Sequence, residues 1–315
     1  MAVPTILSNT SPGAPALTGQ VGGLYDVVKW ALPQLGWSIE FDNGSSKIAL
    51  SNSAVHGTGD VLRFDDDNAN HDGDARSCNV RSYSSMSDID TGTDEIGDSG
   101  WLITKSLTAD TTQRTWVIIG DDVSFWLLIG SGNDINLNEY YLGDIASDKP
   151  GDAGAFLTQA NNVTSISSAS VVSPISTWGS TTIEGFSKLR FDITEMILGE
   201  AACYSQNSYS GVFASNSRSP GSYSTYPEPA SGGIRAIDVQ VKAQVIPFVI
   251  RGRLRGTLLA LNDIRGEFTN GQVIANQATP RGLRDCVIYN RYARTNNASG
   301  DGVLMFDQQS DWNNW

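Results

Sequence analysis

Five aspartates, Asp65, Asp66, Asp67, Asp72 and Asp74, crowd into the stretch FDDDNANHDGDAR together with Asn68, Asn70 and His71. Hard cations take six to eight oxygens from carboxylates, amides and carbonyls. A calcium site with Asp66, Asp72 and Asp74 among its ligands is therefore the chemistry this stretch could support. The nearest EF-hand register starts at Asn68 and puts Asn70, Asp72 and Gly73 at the third, fifth and sixth positions, but Asn79 stands where a bidentate Glu is required. The flanks, VLRF and ARSCNVRSY, read as strands rather than helices. The preferred reading is an acidic turn between two strands, whose short Asp and Asn side chains bond neighbouring backbone groups. No residue from Asp65 to Asp74 is expected to do chemistry.

Other constellations are weaker. Gly97-Asp98-Ser99-Gly100 spells the surroundings of a protease nucleophile, and His56 lies upstream. Too little chain separates the two for the double-barrel fold that unites such residues, so a turn is the better explanation. No G-x-x-x-x-G-K-[ST] and no strand-linked G-x-G-x-x-G occurs, and no cofactor is expected. Glycoside hydrolysis needs two carboxylates about 5 to 9.5 Å apart across a cleft, a separation no sequence displays. The three cysteines, Cys78, Cys203 and Cys286, are far apart and lack C-x-x-C spacing, which reads as buried reduced thiols.

Arg251, Arg253 and Arg255 alternate with Gly252, Leu254 and Gly256, so a strand would place the three guanidinium groups on one side. Charge decides what that stripe could meet. Residues 1–250 hold 13 Lys and Arg against 28 Asp and Glu, residues 251–294 hold eight Arg against three acids, and the net charge is −13. An acidic body lacks the basic footprint that phosphate binding needs. Ion pairing within or between subunits is the expected role, and direct nucleic-acid binding is not expected. No apolar run approaches membrane-spanning length and no signal peptide is read at the N-terminus.

These residues need elements to hold them. One helix is legible: Val21, Leu24, Val27, Val28, Ala31, Leu32 and Leu35 recur at helical spacing, with Thr18 as N-cap and Pro33 as a stop or kink. From Trp37 onward the pattern becomes short strands separated by turn residues. WSIEF and KIALS flank an Asn43-Gly44 hairpin cue, and WVIIGDDVSFWLLI reads as a hairpin turning at Gly120-Asp121-Asp122. Such short turns make antiparallel sheets. The fold class expected is mainly β, with antiparallel sandwich- or barrel-like sheets and one N-terminal helix. Residues 1–150 form the helix and a β-meander, 151–235 a variable insertion, and 236–315 strands that complete the same β-core. Within the insertion, Cys203 to Gly233 is dominated by Ser, Tyr, Gly, Asn and Pro. That is the composition of a surface connector or of an adaptable contact loop, with Tyr209, Tyr223 and Tyr226 as contact residues.

A run of phrases resembles a family of virion-associated proteins of tailed bacteriophages. Its members open on Gly-Ala-Pro-x-Leu-x-Gly followed by a helix, here GAPALTG. Then come a Trp-led strand and hairpin, GWSIEFDNGSSKIAL, a strand ending in aspartates, LRFDDD, and a turn, MSDIDTGT. RTWVIIGDDVSFWLLI, YYLGDIASDKPGDA and IRGRLRGTLLALND match further on, and the order covers most of the chain outside the middle. Where members often carry Gly-Leu-Pro-Gly-Arg near the end, this chain has ATPRGLRDC. The resemblance implies a non-enzymatic structural part of the virion, assembled in the bacterial cytoplasm. A tail-associated collar, tail-tip or fibre-attachment subunit is favoured over a capsid decoration protein or a receptor- or glycan-binding module. The partners implied are other virion proteins, further copies of the chain and a host-surface glycan, with no membrane partner.

Overall fold

The structure is a computed structural model that describes residues 3–67, 75–95, 102–130, 137–148, 155–160, 175–176, 186–190, 199–205, 234, 236–243, 249–260, 268–290, 303–309 and 311–312. It is mainly β, as the spacing of turns implied. The elements are β1 (Thr5–Ser8), α1 (Gly23–Leu35), β2 (Ser38–Asp42), β3 (Lys47–Ser51), β4 (Val61–Asp65), β5 (Ser77–Tyr83), β6 (Ser85–Asp88), β7 (Thr91–Thr93), β8 (Leu102–Thr104), β9 (Thr115–Gly120) and β10 (Ser124–Gly130). There follow β11 (Asn138–Ser147), β12 (Ala155–Ala160), β13 (Ile175–Ser176), β14 (Phe186–Arg190), β15 (Gly199–Ser205), β16 (Ala236–Ala243), β17 (Val249–Ala260), β18 (Gln272–Thr279), β19 (Gly282–Asn290) and β20 (Val303–Asp307).

The helix starts later than its apolar spacing suggests. Gly22 sits at the N-cap position, Val21 is exposed, and Thr18 is not the cap. Pro33 does not stop the helix, which runs on to Leu35, although the proline has no N–H to give the carbonyl of Lys29 one turn earlier. The end comes at Gly36, whose φ of 102° is left-handed. There the Gly36 N–H reaches Pro33 O and the Trp37 N–H reaches Leu32 O, the paired bonds of a Schellman close. Leu24, Val27, Val28, Leu32 and Leu35 are buried along one face, each contributing roughly 1.5–3 kcal/mol.

That face packs on the antiparallel sheet β2-β3-β4-β5-β8 and on one side of the β1-β9-β10-β11 sheet. Leu24, Val28, Phe64, Val80, Trp116, Ile118, Phe125 and Leu127 share this first core. Val117, Ile119, Trp126, Leu128 and Tyr141 point the opposite way, into a second core with Leu254, Leu304, Phe306 and Trp312. With both faces covered, TWVIIG and SFWLLIG read as unbroken apolar runs instead of alternating ones. The β9–β10 turn lies where Gly120-Asp121-Asp122 pointed. Asp121 Oδ1 accepts the N–H groups of Val123 and Ser124 at 3.0 Å.

The large sheet continues from β11 through β12, β14, β15, β16 and β17, then to β20, β19 and β18. β11 also pairs directly with β17, Ala146 opposite Arg253, so the pairings from β11 to β17 form a closed ring. The late strands thus join the early ones in one β-core. β12 to β15 lie within residues 151–235, and GEAACYS of β15 pairs with β14 on one side and β16 on the other.

Candidate functional site

The acidic turn divides its aspartates between interior and surface. β4 pairs with β3 and β5, and Asp65 closes it. Asp66 then turns inward: its N–H reaches Ser46 O at 2.8 Å, and its carbonyl accepts the Gly22 N–H at 3.0 Å. Its carboxylate Oδ2 accepts the N–H of Leu24 at 2.8 Å and of Tyr25 at 3.3 Å. Those are two of the orphan donors of the helix N-terminus, which Gly22 has no side chain to satisfy. Oδ1 meets Lys105 Nζ in direct contact. Lys105 follows β8, is held by its N–H on Arg76 O at 3.0 Å, and also donates Nζ to Gln20 O at 2.6 Å. Both side chains are essentially unexposed. Burial raises the Asp66 carboxyl, against the opposing pull of Lys105 and the two N–H groups.

Of the candidate cation ligands, Asp66 has its oxygens on a lysine ammonium and a helix start. Asp72 and Asp74 lie outside the described residues. Asp65 and Asp67 are partly buried and sit among cations. Asp65 pairs with Arg63 at 2.6 Å, Lys47 approaches Asp65, Asp67 and Asp90 at 3.6, 3.4 and 3.3 Å, and Arg63 also holds Asp90. The described residues contain no cluster of His, Cys, Asp and Glu fit for a metal. Cys78 and Cys286 are buried free thiols, both pushed up by burial, Cys286 to about 12. The side chain of Cys203 is not among those described.

The arginine stripe splits in the same way. Arg253 pairs with Asp148 at 3.0 Å, the ion pairing expected for the stripe. Arg255 is buried and donates Nη1 to the Trp312 carbonyl at 2.9 Å. The side chain of Arg251 is not described, and Tyr209, Tyr223, Tyr226 and Ser99 lie outside the described residues. Facing Arg255 is a buried carboxylate junction that composition alone does not reveal. Asp144 accepts the N–H and Oγ1–H of Thr58 at 2.8 and 2.9 Å. Asp121 keeps one oxygen, Oδ2, without a hydrogen-bond partner. Burial outweighs the attraction of Arg255 in both, lifting Asp121 to about 6 and Asp144 to about 7. At the rim His56 Nδ1 lies 2.6 Å from Asp122 Oδ2, which raises its imidazole above the ordinary value.

The pH dependence follows with a definite sign. Asp121 and Asp144 hold protons more readily folded than unfolded, where the reference is 3.8, so stability falls as pH rises from there to about 7. The His56–Asp122 contribution is present below 6.5 and is lost as pH rises through the higher folded value. Asp42 and Asp110, whose carboxyls are lowered, act only below 3.8. Thermal unfolding of the full chain should therefore give a higher Tm near about pH 5 than near about pH 8. A Tm that climbs across that range contradicts the junction's electrostatics.

Compared with protein-family models and with curated proteins, the chain matches none. Among the described residues no helix is long and apolar enough to cross a membrane.

Proposed function

We propose that the chain is a non-enzymatic structural subunit of a tailed-bacteriophage particle, seated at the tail as a collar, tail-tip or fibre-attachment component. The observation that carries this reading is the ordered series of phrases from GAPALTG through LRFDDD and MSDIDTGT to IRGRLRGTLLALND. The geometry supports it from another side, because side chains with chemical potential serve the scaffold. Asp66 is held by Lys105 and the helix start, Arg255 by the Trp312 carbonyl, Arg253 by Asp148 and His56 by Asp122. Repetition by symmetry is the usual way such parts assemble, so the partners are further copies of the chain and neighbouring virion proteins.

The test is location and copy number in intact particles, by quantitative mass spectrometry and labelled imaging. About a dozen copies or fewer at the tail is the expected result for a symmetric tail component. Hundreds on the capsid lattice would make it a decoration protein instead. A receptor- or glycan-binding module is the remaining reading, favoured by the Tyr-, Ser- and Gly-rich composition between Cys203 and Gly233. Particles whose chain lacks 206–233 should still adsorb to cells if the role is architectural. If they assemble but fail to adsorb, the contact-loop reading prevails.

A further inference from the structure

Asp66 and Lys105 stand to one another as the two halves of an amide. We propose that the folded chain joins Lys105 Nζ to Asp66 Cγ in an intramolecular isopeptide bond, releasing one water. Four features of the site support it, and none depends on the role in the virion.

The first is contact without solvent. The amine nitrogen touches Oδ1 of the carboxyl, and both side chains are shielded from water. Dry surroundings penalise the ammonium–carboxylate form of the pair. A proton passing from Nζ to Oδ1 along the existing contact leaves the neutral amine beside the neutral acid, the reactive combination. The raised affinity of Asp66 for a proton acts in the same direction. Among the described residues, the buried Cys78 thiol feels both members of the pair and Asp65 as well.

The second is a preformed oxyanion site. Attack of the nitrogen lone pair on Cγ moves charge onto Oδ2, which already receives two backbone N–H groups, from Leu24 and Tyr25, at the positive end of a helix of 13 residues. The third is a route for the leaving group. Oδ1 carries the transferred proton and takes a second from the attacking nitrogen as the Cγ–Oδ1 bond breaks. One N–C bond forms, one C–O bond breaks, and water departs with no change in oxidation state.

The fourth is that the product fits the site. The amide carbonyl, formerly Oδ2, keeps both helix N–H donors, while the remaining amide N–H keeps Gln20 O, now 2.6 Å from Nζ. Every polar atom of the new bond is then satisfied in the interior, and no buried charge remains. The link would tie the end of β4 to the segment after β8 and fix the start of the helix between them.

The purified full chain, weighed intact under denaturing conditions, is expected to fall one water below its sequence mass once N-terminal processing is allowed for. The Lys105→Arg chain should weigh its full sequence mass. Water can also be lost by cyclisation at Asp72-Gly73, so a tryptic map is the second measurement. The proposal requires a branched peptide in which Phe64–Arg76 is joined to Ser82–Arg114, cleavage after Lys105 being blocked. An unmodified intact mass overturns it, and so does a water loss confined to Phe64–Arg76.

Discussion

Replacing Asp66 by alanine should lower the stability of the chain by about 3–5 kcal/mol, the cost of stranding a buried charge. Loss of the helix cap adds about 1 kcal/mol. The alanine leaves Lys105 Nζ with only Gln20 O and removes the acceptor for the Leu24 and Tyr25 N–H groups, all in the interior. Urea unfolding of the full chain, followed by circular dichroism, measures the change. Arg253→Ala is the matched comparison, because its pair with Asp148 is partly exposed at both ends. It should cost about 1 kcal/mol or less. Lys105→Met should also be costly alone, yet Asp66→Leu with Lys105→Met should lose much less than the sum, since an apolar pair leaves no orphan charge. Equal losses for Asp66→Ala and Arg253→Ala would remove Asp66 from its central place.

Gly256→Ala should be comparably severe. Gly256 has a φ of 61°, and a Cβ there would overlap the indole of Trp312. Trp312 cannot easily yield: it is fully buried, donates Nε1 to Asp307 O at 3.0 Å and receives Arg255 Nη1 on its carbonyl at 2.9 Å. Left-handed strain of about 1–2 kcal/mol and overpacking of about 1–3 kcal/mol should appear together. Gly282 separates them, because its φ is 93° but nothing lies within 4 Å of a Cβ built there. Gly282→Ala should therefore cost about 1–2 kcal/mol, backbone strain alone. Trp fluorescence should report the disturbance for Gly256→Ala and not for Gly282→Ala. If both cost the same, the indole is not packed against the strand as described.

The fold class and several turns were legible because they rest on local chemistry. Asn43 shows this well: its side chain accepts the N–H groups of Ser45, Ser46 and Lys47, so the residue that signals the hairpin also builds it. The helix cap was not legible. Thr18 stands near the right place, but the carboxylate that does the work comes from Asp66, 42 residues from Leu24. Nothing in the local sequence separates Asp66 from Asp65 or Asp67, and Lys105 carries no motif. Their meeting depends on β8 pairing with β5 and on β4 beside it. Arg253 and Arg255 share a spacing but not a fate: one pairs with Asp148 in partly exposed surroundings, the other is buried on the carbonyl of Trp312. Alternation predicted a common side for the stripe; tertiary packing decided which member was buried.

The two-sided burial of β9 and β10 has a consequence for biosynthesis. The first core draws its residues from Leu7 to Phe156, whereas the second needs Leu254, Phe306 and Trp312. A ribosome that has released only the first part leaves Val117, Ile119, Trp126 and Leu128 as one uncovered apolar face. Contacts over such separations form slowly, so the half-made chain carries a sticky surface until its last strands arrive.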